Sequence, residues 1–155
     1  MRTGIGVDAH RFAEGRMLVL GGVELPGETG LAGHSDADVV IHALMDALLG
    51  ACATGDIGEM FPDTDPQYKD VSSIELLSHV VGRVEAMGFS IVNADITVMC
   101  QEPRIGPHRE RMRKVIASAL GVERQAVSVK GTTTEGMGFT GRGEGIMALA
   151  SVLID

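Results

Sequence analysis

The run Ile146 to Ile154, Ile-Met-Ala-Leu-Ala-Ser-Val-Leu-Ile, is apolar at nearly every position. A strand with one wet face alternates apolar and polar residues, so a run without that alternation predicts a central strand covered on each side. The chain that must supply this cover has 155 residues, enough for one domain with a continuous core and too few for two typical ones. Residues 1–155 are therefore read as a single domain. Residues 2–10 and 17–25 have strand character; the second run is interrupted by Gly21-Gly22, where a bulge or bend is expected, and ends at Pro26. Ser35-Asp36-Ala37-Asp38 has the S-x-x-D form of a capping box before an apolar run, predicting a helix from about Asp36 to Thr54.

Gly55, Gly58, Pro62 and Pro66, among Asp56, Glu59, Asp63, Asp65 and Asp70, mark residues 55–70 as a loop. A second helix opens at Ser72-Ser73, keeps Ile74, Leu77, Val81 and Val84 at helical spacing and stops at Gly88. Residues 89–100 read as a strand. Pro107 suits the first turn of a third helix, with Met112, Val115, Ile116, Ala119 and Leu120 on one face and Gly121 at its end. A further strand begins at Val127 to Lys130. The helices are too few to cover both faces of a wide sheet, so the expected fold is α+β: a mixed β-sheet with helices packed on one face, a two-layer sandwich. The uncovered face, if apolar, must meet another subunit, which predicts a homo-oligomer.

Aromatic residues are only 3% of the chain while hydrophobic ones reach 45%, so the core is built from Val, Ile, Leu, Ala and Met. The nine methionines are dispersed and read as gap-fillers. A net charge of −8 and a pI near 5.0 exclude a broad nucleic-acid surface. Phosphate ligands remain open to such a chain if metal ions and a few placed cations reverse the field locally. No stretch is apolar and long enough to span a membrane, and Met1 to Gly6 lacks the pattern of a secretory signal, so a cytoplasmic protein with no membrane or nucleic-acid partner is expected. Cys52 and Cys100 lie far apart in apolar context and read as buried thiols.

Three segments carry chemistry. Asp8-Ala9-His10 places a carboxylate and an imidazole on one face of a strand, half of a divalent metal site or a strand end that satisfies nearby turn amides. Asp38 and His42 stand four apart on a helix face, and either can meet that pair; His42 alone also fits a hydrogen-bonded core histidine. His34 and Ser35 at the helix N-terminus suit an anion, unless Ser35 merely caps the helix. Lys130-Gly131-Thr132-Thr133-Thr134-Glu135 continues to Phe139 and Arg142. It joins hydroxyls, cations and backbone freedom in a phosphate-binding arrangement with Glu135 able to hold a hard cation, the alternative being a flexible hairpin. These residues alone point to metal-assisted phosphoryl transfer or hydrolysis of a small phosphate ester, or else to a non-catalytic metal or nucleotide-binding module.

Taken in order along nearly the whole chain, Asp8-Ala9-His10, His34-Ser35-Asp36-Ala37-Asp38, His42, Gly55-Asp56-Ile57-Gly58, Phe61-Pro62-Asp63-Thr64-Asp65, Lys130 to Glu135 and Gly138-Phe139-Thr140-Gly141-Arg142-Gly143-Glu144-Gly145 resemble the 2-C-methyl-D-erythritol 2,4-cyclodiphosphate synthase family of the non-mevalonate isoprenoid pathway. The resemblance implies a homotrimer with active sites between subunits and one zinc per subunit on Asp8, His10 and His42. The reaction it implies is attack of the 2-phosphate of 4-diphosphocytidyl-2-C-methyl-D-erythritol 2-phosphate on its β-phosphorus, with release of CMP. His34 and Thr133 take catalytic positions in that scheme; His34 and Ser35 meet the 2-phosphate end, and Thr132, Thr133, Thr134 and Glu135 surround the diphosphate, with magnesium or manganese on Glu135. Asp8, Ala9, His10, Asp56, Ile57 and Gly58 border the substrate, and Phe61 to Asp65 close over its methylerythritol part. Cys100-Gln101-Glu102-Pro103-Arg104-Ile105-Gly106 matches the cytidine pocket, with Arg104 where the family commonly has Lys, a planar fork in place of a point charge. Phe139 and Arg142 match residues of an inter-subunit cavity suited to isoprenoid diphosphates.

Overall fold

The computed structural model of the chain describes residues 1–62, 64–68 and 71–155. Its elements in chain order are strands Arg2–Ala13 (β1), Leu18–Leu20 (β2), Val23–Leu25 (β3) and Gly30–Leu31 (β4), then helices Val39–Cys52 (α1), Ile57–Met60 (α2) and Ser73–Ala86 (α3). Strand Ile91–Met99 (β5), helix Arg109–Leu120 (α4), strand Val127–Thr132 (β6), the short helix Gly138–Gly141 (α5) and strand Gly145–Ile154 (β7) follow. The main sheet has five strands in the order β4-β1-β7-β5-β6, so the apolar run at the end of the chain does occupy its centre. β7 is antiparallel to both neighbours, and β5 and β6 are parallel, making the sheet mixed. The architecture is the expected α+β sandwich: α1 lies across β1 and β7, α3 packs on α1, and α4 packs on β6. Among the described residues no helix is long and apolar enough to cross a membrane.

Only one face of the central strand is covered within the chain. Ile146, Ala148, Ala150, Val152 and Ile154 are buried beneath the helices, while Met147, Leu149, Ser151 and Leu153 point to the other side. β1 continues that open face with Ile5 and Val7, which remain 69% and 45% exposed. The sequence pattern required cover on both sides; the fold provides one and leaves an apolar stripe for the other.

Local chemistry corrects several expected boundaries. Gly21 and Gly22 both adopt left-handed backbone (φ 59° and 73°) and form the tight turn of a β2–β3 hairpin, not a bulge within one strand. β4 is two residues long, too short to leave a pattern, and pairs with Phe12 and Ala13. The first helix starts at Val39, because Ala37 takes a left-handed φ of 57° and Asp38, not Ser35, is the cap. Within the expected loop, Asp56 caps the one-turn helix α2 through Glu59 N–H at 2.9 Å, and Pro66–Tyr68 forms a 3-10 turn. Pro107 lies in a separate 3-10 turn, Gly106–His108, before α4.

α1 reaches β1 at backbone distance. A Cβ at Gly4 would sit 1.9 Å from the Ala47 carbonyl oxygen and one at Gly6 2.0 Å from that of Ala43. Replacing Gly6 by Ala is therefore expected to lower stability by about 3 kcal/mol or more, since neither backbone can yield. Gly82, by contrast, is exposed within α3 with nothing within 4 Å of a built Cβ. Gly82→Ala should raise stability by about 0.5–1 kcal/mol through helix propensity. Urea unfolding of both variants checks the pair, and equal midpoints would contradict the packing described.

Candidate metal centre and phosphate site

The period of β1 places Gly4, Gly6, Asp8 and His10 on the face toward α1, and the two glycines let that helix close in. His42, one turn into α1, then lands on the strand pair. Asp8 Oδ2 is 2.9 Å from His10 Nε2 and 3.1 Å from His42 Nδ1, and the two nitrogens are 3.2 Å apart. A tetrahedral zinc with bonds of about 2.0–2.1 Å holds its ligand atoms about 3.3 Å from one another, so these three atoms already stand near the spacing of three corners of such a site. One oxygen and two nitrogens suit a divalent ion, and three such ligands would leave a fourth position of a tetrahedral ion open.

Each imidazole is oriented from behind. His10 Nδ1 donates to the Ala32 carbonyl at 2.7 Å, so that in the neutral ring Nε2 is the nitrogen with the lone pair and in the protonated ring it donates to Asp8. His42 Nε2 meets Ser35 Oγ at 3.1 Å and Ser73 Oγ at 3.0 Å. Burial alone would raise the Asp8 carboxyl, but hydrogen bonds and charge from His10 and His42 outweigh it and hold the group well below the usual carboxylate range. The hydrogen bond to Asp8 raises His10 despite burial. A positive charge is thus strongly favoured at this point.

Of the two candidates on the helix, the structure selects His42. Asp38 is fully buried and turned the other way, accepting from Gly21 N at 2.9 Å, Gly22 N at 2.6 Å, Val40 N at 3.1 Å and Ile41 N at 3.2 Å. It joins the hairpin turn to the start of α1, and its burial pushes the carboxyl up to about 6 against the pull of those donors. Arg16, which carried no sequence signal, holds the 33–35 segment by donating to the carbonyls of Gly33, at 2.7 Å, and Ser35. Asp46 lies one turn beyond His42 and accepts from Ile57 N at 2.8 Å, tying α2 to α1. Burial raises its carboxyl, with repulsion from Asp56 and Asp8 in the same direction. The i+4 spacing from His42 was the available clue to Asp46.

The triad opens into a cavity of about 480 Å³ bordered by His34, Ser35, Met45, Ile57, Gly58, Phe61, Pro62, Asp65, Tyr68 and Leu76. Phe61 packs edge-on against Tyr68 with centroids 5.3 Å apart and against His79 of α3 at 6.4 Å, fixing the loop that roofs it. His34 is exposed at the rim. Asp56 and Thr64 do not line the cavity; Ala9 faces the open side of the sheet, and Asp63 lies outside the described residues.

The remaining candidates gather elsewhere. Cys100 to Gly106 join Lys130, Gly131, Thr132 and Thr133 around a second cavity of about 660 Å³. The strand registers put Asp8 level with Ala148, Ala148 with Val98 and Val98 with Gly131. Both cavities therefore open at the same end of the sheet, three strand spacings or about 14 Å apart. Thr133 donates to Glu135 Oε1 at 3.2 Å, whereas the Thr134 hydroxyl is engaged inside the loop with Met137 O at 2.6 Å and Thr140 Oγ1 at 2.9 Å. Phe139 lies within α5 and Arg142 caps its end, paired to Glu144 at 2.6 Å, so this segment is an ordered turn and helix and not a plain hairpin. Cys100 is buried, which pushes its thiol up to about 11, and Cys52 is raised by burial too; neither is a nucleophile at neutral pH.

A family model described as the YgbB family matches residues 1–155. The chain belongs to the YgbB family. A curated member from Syntrophomonas wolfei subsp. wolfei, named 2-C-methyl-D-erythritol 2,4-cyclodiphosphate synthase, is 58% identical over 155 residues, covering 100% of this chain and 99% of its own. One of the same name from Moorella thermoacetica is 58% identical, covering 99% and 94%. Among solved structures, 99% of the chain matches a CDP-bound 2C-methyl-D-erythritol-2,4-cyclodiphosphate synthase over 100% of its length, with TM-score 0.91 and 36% identity. It also matches 42% of the bifunctional IspDF of Campylobacter jejuni, with TM-score 0.95 and 45% identity. Within this family fold Asp38 braces the start of α1, which carries His42, without touching the Asp8, His10 and His42 cluster. Asp38→Ala leaves four backbone donors unpaired and should lower stability by about 3 kcal/mol. Urea unfolding measures the loss, and a change under about 0.5 kcal/mol would contradict the bracing role.

Proposed function

We propose that the chain converts 4-diphosphocytidyl-2-C-methyl-D-erythritol 2-phosphate to 2-C-methyl-D-erythritol 2,4-cyclodiphosphate and CMP, as a phosphorus-oxygen lyase of isoprenoid precursor synthesis in the bacterial cytoplasm. The observation that carries the proposal is the convergence of Asp8 Oδ2, His10 Nε2 and His42 Nδ1 within 3.2 Å of one another in a chain whose full-length relatives bear that enzyme name. An oxygen of the 2-phosphate forms the new bond to the β-phosphorus, and the bond from that phosphorus to the bridging oxygen of CMP breaks, the electron pair leaving with CMP. Nucleophile and electrophile belong to one molecule, so the chain supplies position and charge and needs no activated side chain. This agrees with two buried, unreactive thiols.

Asp8, His10 and His42 would hold zinc, which when bound supplies Lewis-acid neutralisation of phosphate oxygens. Ser35 and His34 border the triad and are assigned to the 2-phosphate. Thr132 and Thr133 are assigned to the diphosphate, Glu135 to magnesium or manganese, and residues 100–106 to cytidine, with the Arg104 fork in place of a lysine. The roof of Phe61 and Pro62 packs over the methylerythritol part and excludes water, which would otherwise divert the reaction to hydrolysis.

The two cavities of one chain share no lining residue. We assign the complete site to a homotrimer, in which the metal centre of one subunit faces the Thr132–Glu135 segment of the next and the open sheet faces pack together. Ile5, Val7 and Leu149 give that face its apolar stripe. Phe139 and Arg142 would then border a shared cavity for an isoprenoid diphosphate.

Phosphorus NMR with the diphosphocytidyl substrate should show a cyclic diphosphate and CMP; inorganic phosphate as product would establish hydrolysis instead. His42→Ala should lose its zinc and more than about 100-fold in turnover, beyond the range of an outer-sphere change, while circular dichroism stays that of the parent. Zinc content equal to the parent would contradict the ligand set. Sedimentation equilibrium should return three times the 16.3 kDa chain mass, and a monomer at working concentration would contradict the assembly.

A further inference from the structure

We infer that Ser73 and Asp36 form a proton-directing relay that presents Nδ1 of His42, and not Nε2, to the metal. The inference rests on the triad being a metal centre. Ser73 is fully buried at the first turn of α3, with its hydroxyl 3.0 Å from His42 Nε2. It also meets the Asp36 carboxylate: Oδ1 accepts from the Ser73 hydroxyl and Oδ2 from Ser73 N–H at 3.0 Å.

The direction follows from counting protons. A serine hydroxyl has one, and Asp36 takes it, since a carboxylate offers only lone pairs. Ser73 Oγ can then meet Nε2 only as an acceptor, so Nε2 must carry the imidazole proton and Nδ1 keeps its lone pair. Ser35 Oγ, 3.1 Å from the same nitrogen, cannot impose this direction. It accepts from Ala37 N–H at 3.2 Å and lies 3.5 Å from Ser73 Oγ, and since no carboxylate claims its own proton, that proton can turn either to Ser73 or to the ring. The relay also works against a competitor: Asp8 Oδ2, 3.1 Å from Nδ1, would draw the proton to the ligand side of the ring. Asp36 and Ser73 are positioning residues, acting through His42 without touching the reacting atoms. The same contact ties the 34–38 turn to the start of α3, so one hydrogen-bonded pair sets both the angle of the ring and its tautomer.

The test is zinc binding by full-length Ser73→Ala, measured by competition with a chelator, together with 15N-edited NMR of the zinc-loaded protein. Ser73→Ala should bind zinc about 10- to 100-fold more weakly, and the parent should show a His42 Nε2–H resonance protected from solvent exchange that the variant lacks. Ser73→Thr, which keeps the hydroxyl, should recover most of the affinity. Asp36→Asn, which no longer offers two anionic acceptors, should weaken zinc binding in the same sense and covers the case in which Ser73→Ala fails to fold. Ser73→Ala with the affinity of the parent, or a parent whose His42 Nε2–H exchanges freely, would overturn the relay. A parent that binds no zinc would instead refute the metal centre itself, so the two failures are distinguishable.

Discussion

The backbone contact between β1 and α1 is the constraint on which the rest depends. With Gly4 and Gly6 beneath Ala43 and Ala47, strand and helix meet without side chains between them. That closeness lets Asp8 and His10, further along the same strand face, reach His42 at hydrogen-bond distance. A helix held off by ordinary side chains would leave room for an apolar layer and none for three polar side chains within hydrogen-bond distance of one another. The small residues at these positions are therefore what lets the three side chains meet.

The Asp8, His10 and His42 cluster is held in place by residues outside it. Asp38 joins the hairpin turn to α1, Arg16 fastens the backbone of residues 33–35, Ala32 orients His10, and Ser73 meets His42 from the far side. Asp46 then links α1 to the loop that roofs the cavity. Each contact crosses between elements distant in sequence, so the site is assembled only when the fold is. The second group of polar residues, 100–106 with Lys130 to Thr133, sits on the other side of the sheet centre, about three strand spacings away. The uncovered apolar sheet face gives the chain a physical reason to assemble.

Much of this was legible in the order of residues. The unalternating run at 146–154 placed the central strand, and the i, i+2 pair at Asp8 and His10 placed two ligand-type side chains on one face. The choice between Asp38 and His42 was not legible, because both share a helix face by spacing. It is decided by the left-handed turn at Ala37, which makes Asp38 the cap and leaves His42 to the strand. Ser73 read as a helix opener and Arg16 carried no signal, since their partners lie 31 and 17 residues away or more. The Asp56 cap hid a helical turn inside what glycines and prolines marked as loop. Boundaries and local caps were readable to within a few residues; contacts that need the assembled fold were not.

Anomalous diffraction at the zinc edge from crystals of the zinc-loaded protein tests the central claim most directly. A single strong peak is predicted at about 2.0–2.2 Å from each of Asp8 Oδ2, His10 Nε2 and His42 Nδ1. A peak at other residues, with these three side chains still hydrogen-bonded to one another, would contradict it.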